Sequence, residues 1–206
     1  MVRGPKEKKE RALGVRLQLK GERCSSPKCA MVRKPYKPGV HGQSRKRKQL
    51  SDFGRQIQEK QKCKVSYGIT ENNLRQIFDK AQKQTGSTAE LMVRILESRL
   101  DNAVFRLGFA SSRSMARQLV RHGHILVNGR KVVSPGFAVK SGQIIGVRKE
   151  SLELAHFKNL KESLKKYEPV GWLEVDPGKM EGKIVATPSD IEPPFEVGLL
   201  VESFNK

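Results

Sequence analysis

Residues 112–130 read Ser112-Arg113-Ser114-Met115-Ala116-Arg117-Gln118-Leu119-Val120-Arg121-His122-Gly123-His124-Ile125-Leu126-Val127-Asn128-Gly129-Arg130. Ser112 suits a helix cap, because its hydroxyl can accept from a free backbone N–H of the first turn. Met115, Ala116, Leu119 and Val120 follow at helical spacing, and His122-Gly123 ends the run. The period then changes. Ile125-Leu126-Val127 and Arg130-Lys131-Val132 flank Asn128-Gly129, and the favoured two-residue hairpin turn needs positive φ at both central positions. Gln143-Ile144-Ile145-Gly146-Val147 predicts a third strand. A helix that hands over to a small, mainly antiparallel sheet places the chain in the α+β class.

Upstream, Ser51 and Asp52 offer a helix start with Phe53 and Ile57 four apart. Thr70 caps a second helix through Leu74, Ile77, Phe78 and Ala81, and Gly86 is the expected closing residue. From Thr88 the apolar positions Leu91, Met92, Ile95, Leu96, Leu100, Ala103, Val104 and Leu107 predict one long helix, or two with a break near Ser98-Arg99. Downstream, Leu152 to Lys166 predicts a short helix, and short strands are expected at residues 184–186 and 199–204. Residues 1–50 show little apolar periodicity and much Gly, Pro and charge, so they predict an extended basic arm, whose turn-rich stretch Arg33–Gly42 is expected to order only against a partner. The expected organisation is an arm over 1–50, a helical domain over 51–96, a helix-and-sheet domain over 97–160, and a tail with short strands over 161–196.

The charge is as uneven as the texture. The 206 residues carry 41 Lys+Arg against 21 Asp+Glu, a net of +20. Divided along the chain, the net is +13 over residues 1–48, +3 over 49–96, +7 over 97–150 and −3 over 151–206. Two basic surfaces and one non-binding region imply a polyanionic partner. No apolar run approaches the ~18–20 residues of a membrane span. The start Met1-Val2-Arg3-Gly4-Pro5-Lys6 lacks a signal peptide's apolar stretch, and three Cys make no disulfide framework. The expectation is a cytoplasmic protein with no membrane partner.

Arg113, Arg117 and Arg121 fall at i, i+4, i+8 and so share one helix face, where they repel one another unless an anion compensates. Guanidinium forks match phosphate, so these three, with His122, His124, Asn128, Arg130 and Lys131 around the hairpin, predict a platform that clamps structured RNA. A second predicted grip is Arg33 and Tyr36 with the run Arg45-Lys46-Arg47-Lys48, where cations neutralise phosphate and Tyr36 stacks on a base. Cys24-x4-Cys29 is half of a zinc site, with Cys63 remote, and Glu7, Glu10 and His41 are poor completions. No metal or cofactor is expected. Catalytic patterns such as GxxxxGK[ST] and GxSxG are missing. Ser98-Arg99-Leu100-Asp101 resembles the R-L-D motif of pseudouridine synthases, in which the Asp is the nucleophile. That family needs a far larger catalytic domain, so a structural ion pair between Arg99 and Asp101 is expected instead.

Two stretches carry a wider resemblance: Glu97-Ser-Arg-Leu-Asp-Asn-Ala-Val-Phe-Arg-Leu-Gly-Phe109, and Ser114-Met-Ala-Arg-Gln-Leu-Val-Arg-His-Gly-His-Ile-Leu-Val-Asn-Gly-Arg130. Both are similar to the S-four RNA-binding domain. Lys34-Pro-Tyr-Lys-Pro-Gly-Val-His-Gly42, Glu59-Lys-Gln-Lys62 and Asp176-Pro-Gly-Lys-Met-Glu-Gly182 extend the likeness, in collinear order, to the bacterial-type family of small-subunit ribosomal protein four. The resemblance implies a non-enzymatic primary binder of 16S ribosomal RNA. Such a protein nucleates assembly of the subunit body, contacts ribosomal protein five and contributes to translational accuracy. It implies that Arg45, Lys46, Arg47 and Lys48 lie near the channel through which messenger RNA enters, and that Arg99 joins the RNA-binding set. It also implies that residues 197–206 rejoin the helical domain. Zinc-bearing members carry a first Cys pair where this chain has Glu7 and Glu10, which implies no bound zinc. The alternatives are a pseudouridine synthase-like enzyme using Asp101 and a free-standing S-four-domain RNA-binding protein, for which the helical segment 49–107 would be superfluous.

Overall fold

The computed structural model describes residues 4–43, 49–158, 160–164, 167–189 and 191–205. The chain divides into two compact units, Met1–Val93 with Glu192–Lys206, and Arg94–Ile191.

The first unit is helical. Its N-terminal part is folded rather than an extended arm: α1 spans Lys6–Leu13, α2 Glu22–Ser25 and α3 Ala30–Arg33. Apolar periodicity misses this part because polar groups hold it. Glu10 is buried, and its Oε1 accepts from the backbone N–H groups of Leu17 and Leu19, both at 3.1 Å. Arg11 donates to the carbonyls of Lys34 (2.9 Å) and Tyr36 (3.0 Å), and its guanidinium lies 4.9 Å from the centre of the Tyr36 ring. The helix α4, Asp52–Tyr67, starts where Ser51 accepts from Gly54, and α5, Glu71–Gln82, where Thr70 accepts from Asn73. Leu74, Ile77, Phe78 and Ala81 of α5 are buried. This helix ends at Gln82, before Gly86, on an ordinary right-handed Lys83.

The chain's last helix, α11 (Val197–Glu202), occupies the place where a strand was expected. Leu200 is fully buried, and Phe204, just past the helix end, stacks on Phe78 with ring centres 4.8 Å apart. Glu59 of α4 accepts from the backbone N–H of Glu196, the residue before α11, and Gln56 donates to Glu202. The unit's helices offer no sheet edge, among the described residues, for residues 199–204 to join.

The stretch from Thr88 makes two helices, α6 (Thr88–Glu97) and α7 (Leu100–Arg106). The break is held open by pairing: Leu100 donates to the Phe137 carbonyl at 2.8 Å, Asp101 to Pro135 at 3.1 Å, and Val139 to Ser98 at 2.8 Å. Then come α8 (Arg113–Arg121), β1 (Ile125–Val127), β2 (Arg130–Lys131), β3 (Ile144–Val147), α9 (Ala155–Lys158), α10 (Leu160–Leu164), β4 (Leu173–Asp176) and β5 (Glu181–Ile184). The strands form one antiparallel sheet, ordered β2-β1-β3-β5-β4. Asn128 and Gly129 take φ of 49° and 75°, the turn expected of that dipeptide.

The tail builds part of this sheet. β5 pairs with β3, Ile145 facing Gly182, and so covers an edge that would otherwise be open. It starts three residues ahead of the expected strand, and β4 had no strand-like signal strong enough to read. Leu100, Val104, Leu107, Phe109, Ile125, Ile145, Trp172 and Ile184 belong to the buried core of this unit.

Gly182 marks a close approach within that core. A Cβ there would overlap Leu107 Cδ2 and stand 2.7 Å from Cδ1, and Leu107 is fully buried. Gly182→Ala is expected to destabilise this unit by about 1–3 kcal/mol, and Leu107→Ala alone by about 2–5 kcal/mol. The double variant should cost clearly less than the sum, because removing Leu107 makes room for the new methyl. Urea unfolding followed by the fluorescence of Trp172, the protein's one tryptophan, reads all three variants. Additive costs would contradict the packing argument.

Candidate nucleic-acid interface

The α8 helix begins where Ser112 accepts from Met115 at 3.3 Å, and it buries Ala116, Leu119 and Val120 against the core. Its arginine row does not simply face water. Arg113 donates from Nε to Asn102 Oδ1 at 2.8 Å, stands 3.7 Å from Glu97 Oε1, and lies 4.8 Å from the centre of the Phe105 ring. Glu97 has no exposed side-chain surface, and it also takes Arg106 at 3.1 and 3.2 Å and the Asn102 amide at 2.7 Å. One turn along α8, Arg117 Nε lies 3.8 Å from Asp101 Oδ2. Asp101 is itself gripped on both oxygens by Arg99, at 2.8 and 3.0 Å. Burial is the largest influence on the Arg117 guanidinium and lowers its pKa. The Asp101 carboxylate opposes that shift, while the Arg99 and Arg121 charges add to it.

The anion that an arginine row requires is therefore supplied from within the chain. Arg99 was expected among the RNA contacts, but it is buried and serves as the first partner of Asp101. Arg113 and Arg117 keep only 15% and 18% of their side-chain surface exposed. The expected structural pairing of Arg99 with Asp101 is present. It also takes up both oxygens of the carboxylate that a synthase-like reaction would need as its nucleophile.

Beyond Arg117 the picture changes. Arg121, His122, Arg130 and Lys131 are exposed. The Lys131 stem crosses Gly123, where the lack of a Cβ leaves room for it, and the φ of 76° there is one that glycine takes without strain. His124 is half-buried, its Nδ1 2.9 Å from Ser151 Oγ, and its ring lies 6.0 Å from that of His122. Burial first, then the charges of His122, Arg148 and Lys131, hold the His124 pKa below the ordinary histidine value. Asn128 is used structurally: its N–H donates to the Ile144 carbonyl and its Oδ1 accepts from the Ile144 N–H, both at 2.8 Å, which pins the hairpin to β3.

Arg148 joins this group although sequence reasoning did not find it. Its backbone N–H donates to the His124 carbonyl at 2.9 Å, and its guanidinium also pairs with Glu150 at 2.7 Å. Only the antiparallel register of β1 and β3 brings the two residues together. Glu97, Asn102 and Arg106 were missed as well. Their one signal was the presence of charged and amide side chains in an otherwise apolar helical run.

In the first unit, Arg33 is exposed at the end of α3, and Tyr36 is half-buried with Arg11 over one ring face. Arg45, Lys46, Arg47 and Lys48 lie outside the described residues. Cys24, Cys29 and Cys63 are buried and none is joined in a disulfide. Burial first, and then the charges of Glu10, Cys29 and Glu7, push the Cys24 thiol pKa up, while a hydrogen bond from the Lys20 backbone pulls it down. Glu7 is engaged by Arg23 at 2.6 Å and Glu10 by backbone N–H groups. Structural zinc needs thiolates and four donors, and the residues around Cys24 and Cys29 do not fit it. Among the described residues no cluster of three or more His, Cys, Asp or Glu is placed to hold a metal.

Comparison with known proteins places this arrangement. Residues 1–97 match the model of the ribosomal protein S4/S9 N-terminal domain, and residues 98–145 match that of the S4 domain. Small ribosomal subunit protein uS4A of Alkaliphilus metalliredigens is 51% identical over 195 residues, covering 94% of this chain and 93% of the relative. Uniform coverage at 47% identity holds for uS4 of Thermus thermophilus, again 94% and 93%. The uS4 of Roseiflexus castenholzii is 44% identical and covers 98% of both chains. On these likenesses, over nearly its whole length, the chain belongs to the small ribosomal subunit protein uS4 family.

Proposed function

We propose that the chain is a structural constituent of the small ribosomal subunit that binds 16S ribosomal RNA and directs the binding energy into folding it. The observation that carries the RNA-binding reading is the concentration of positive charge around His124. There the charges of His122, Arg148 and Lys131 bear on the ring, with Arg121 closing α8 and Arg130 exposed on the hairpin. Cations placed like this release counterions when they meet phosphate. Arg113, Arg117 and Asn128 support the platform from behind, through α7 and β3. Arg33, Tyr36 and the run Arg45–Lys48 form a second grip on RNA, the run lying toward the messenger channel. A protein of this kind nucleates the body of the subunit, and through a contact with ribosomal protein five it influences translational accuracy. Its place is the cytoplasmic ribosome.

Two measurements test the reading. Arg121→Ala is expected to weaken binding to 16S ribosomal RNA and to flatten the log–log salt dependence by roughly 0.7–0.9, the value of one phosphate contact. An unchanged slope would remove Arg121 from the interface.

The second measurement concerns His124. Its folded pKa lies below the ordinary histidine value, so the folded state binds fewer protons than the unfolded one, and stability falls as pH drops through about 6.5. An RNA phosphate next to the ring has the opposite effect and raises its pKa. NMR titration of His124 is therefore expected to move upward when RNA binds, and affinity should rise as pH falls from about 7.5 to about 6. His124→Gln should lose its share of that rise. A His124 titration unmoved by saturating RNA would place the ring away from phosphate.

A further inference from the structure

Glu97 and Asp101 belong to no binding surface, yet each closes on arginines of the helix that faces the RNA in the reading above. Each side chain is less than 5% exposed. Asp101 holds Arg99 on two oxygens and stands 3.8 Å from Arg117. Glu97 holds Arg106 and, at 3.7 Å and through Asn102, Arg113. Among the described residues no carboxylate pairs with Arg121, although that residue continues the same row. The anionic support stops where the helix reaches the surface.

We infer that Glu97 and Asp101 are positioning residues for RNA recognition: they fix Arg113 and Arg117 to the protein, withhold them from phosphate, and leave Arg121 and the hairpin as the contacting cations of this platform. The inference rests on the RNA-binding reading. An arginine that is already desolvated and paired with a carboxylate has few counterions to give up, so it adds little to sequence-independent affinity for a polyanion. Withholding two of three arginines lowers indiscriminate binding. It also ties the helix to the α6–α7 break, so that Arg121 and the hairpin keep one geometry.

The test compares the native chain with Asp101→Asn, Arg117→Ala and the double variant, measuring affinity for 16S ribosomal RNA and for poly(U) against salt concentration. Asp101→Asn is expected to steepen the slope on both RNAs by roughly 0.7–0.9 as Arg117 becomes available, and to narrow the preference for 16S RNA over poly(U). Arg117→Ala in the native chain should leave the slope unchanged, whereas in the Asp101→Asn chain it should restore the native slope. A purely structural Asp101 would lower affinity without moving the slope, and that result overturns the inference. Asp101→Asn strands the buried Arg99 charge, so Arg99→Met/Asp101→Asn is made alongside it, with Trp172 fluorescence reporting folding. If neither asparagine variant folds, Arg117→Ala decides alone, because a slope flattened by one contact overturns the inference. A native chain that fails to bind 16S RNA at low salt would instead defeat the RNA-binding reading itself.

Discussion

Glu97 and Asp101, with almost no solvent contact, hold Arg99, Arg106, Arg113 and Arg117 around them. Those arginines come from the break between α6 and α7, from the end of α7, and from the first two turns of α8. Removing Asp101 would leave the buried Arg99 cation uncompensated, which in general costs about 3–5 kcal/mol. The carboxylates therefore oblige three stretches of chain to keep one arrangement. The segment 98–101 cannot continue as a helix while its backbone pairs with 135–139, and that kink is what brings Asp101 to face Arg117. The placement of α8, the hairpin beyond it and the exposed cations follows from that constraint.

The net charge of +20 reads differently once the network is known. The +7 of residues 97–150 is not spread over a surface, because two of the segment's three acids are internal and hold four of its arginines. What remains for solvent lies at one end of α8, on the hairpin, at Lys140 and at Arg148-Lys149. In the N-terminal quarter some charge is also spent internally: Arg23 and Lys20 on Glu7, and Arg11 on two backbone carbonyls. A basic composition points toward a polyanion, but it overstates the number of cations free to meet one.

Local signals were legible wherever one side chain settles one piece of backbone. Ser51, Thr70 and Ser112 each cap the helix expected of them, and Asn128-Gly129 makes the expected turn. The sequence misleads where the deciding partner is distant in the chain. Residues 6–33 fold because Glu10 and Arg11 bond to backbone beyond their own helix, which leaves no apolar period to read. Residues 199–204 open on an apolar run that reads as a strand, but α11 packs on α4 and Phe204, just past its end, stacks on Phe78 of α5. β5 exists because β3 offers an edge. At the candidate site, the i, i+4, i+8 row gave the correct helix face but not what that face meets.

Stability alone does not explain why this domain keeps a buried ionic cluster, because well-packed apolar residues of similar volume often serve as well or better. Geometry supplies a reason. A helix of nine residues is too short to persist in water by itself. Ala116, Leu119 and Val120 fix one side of α8, but an apolar face permits sliding and rotation that paired guanidinium and carboxylate groups do not. With Arg113 bonded to Asn102 and Arg117 facing Asp101, the helix is fixed in both rotation and translation at its buried end. Its last turn then delivers Arg121 and the Gly123 turn to a defined place beside the hairpin. The same arginine row anchors the helix where carboxylates meet it and stands exposed where they do not.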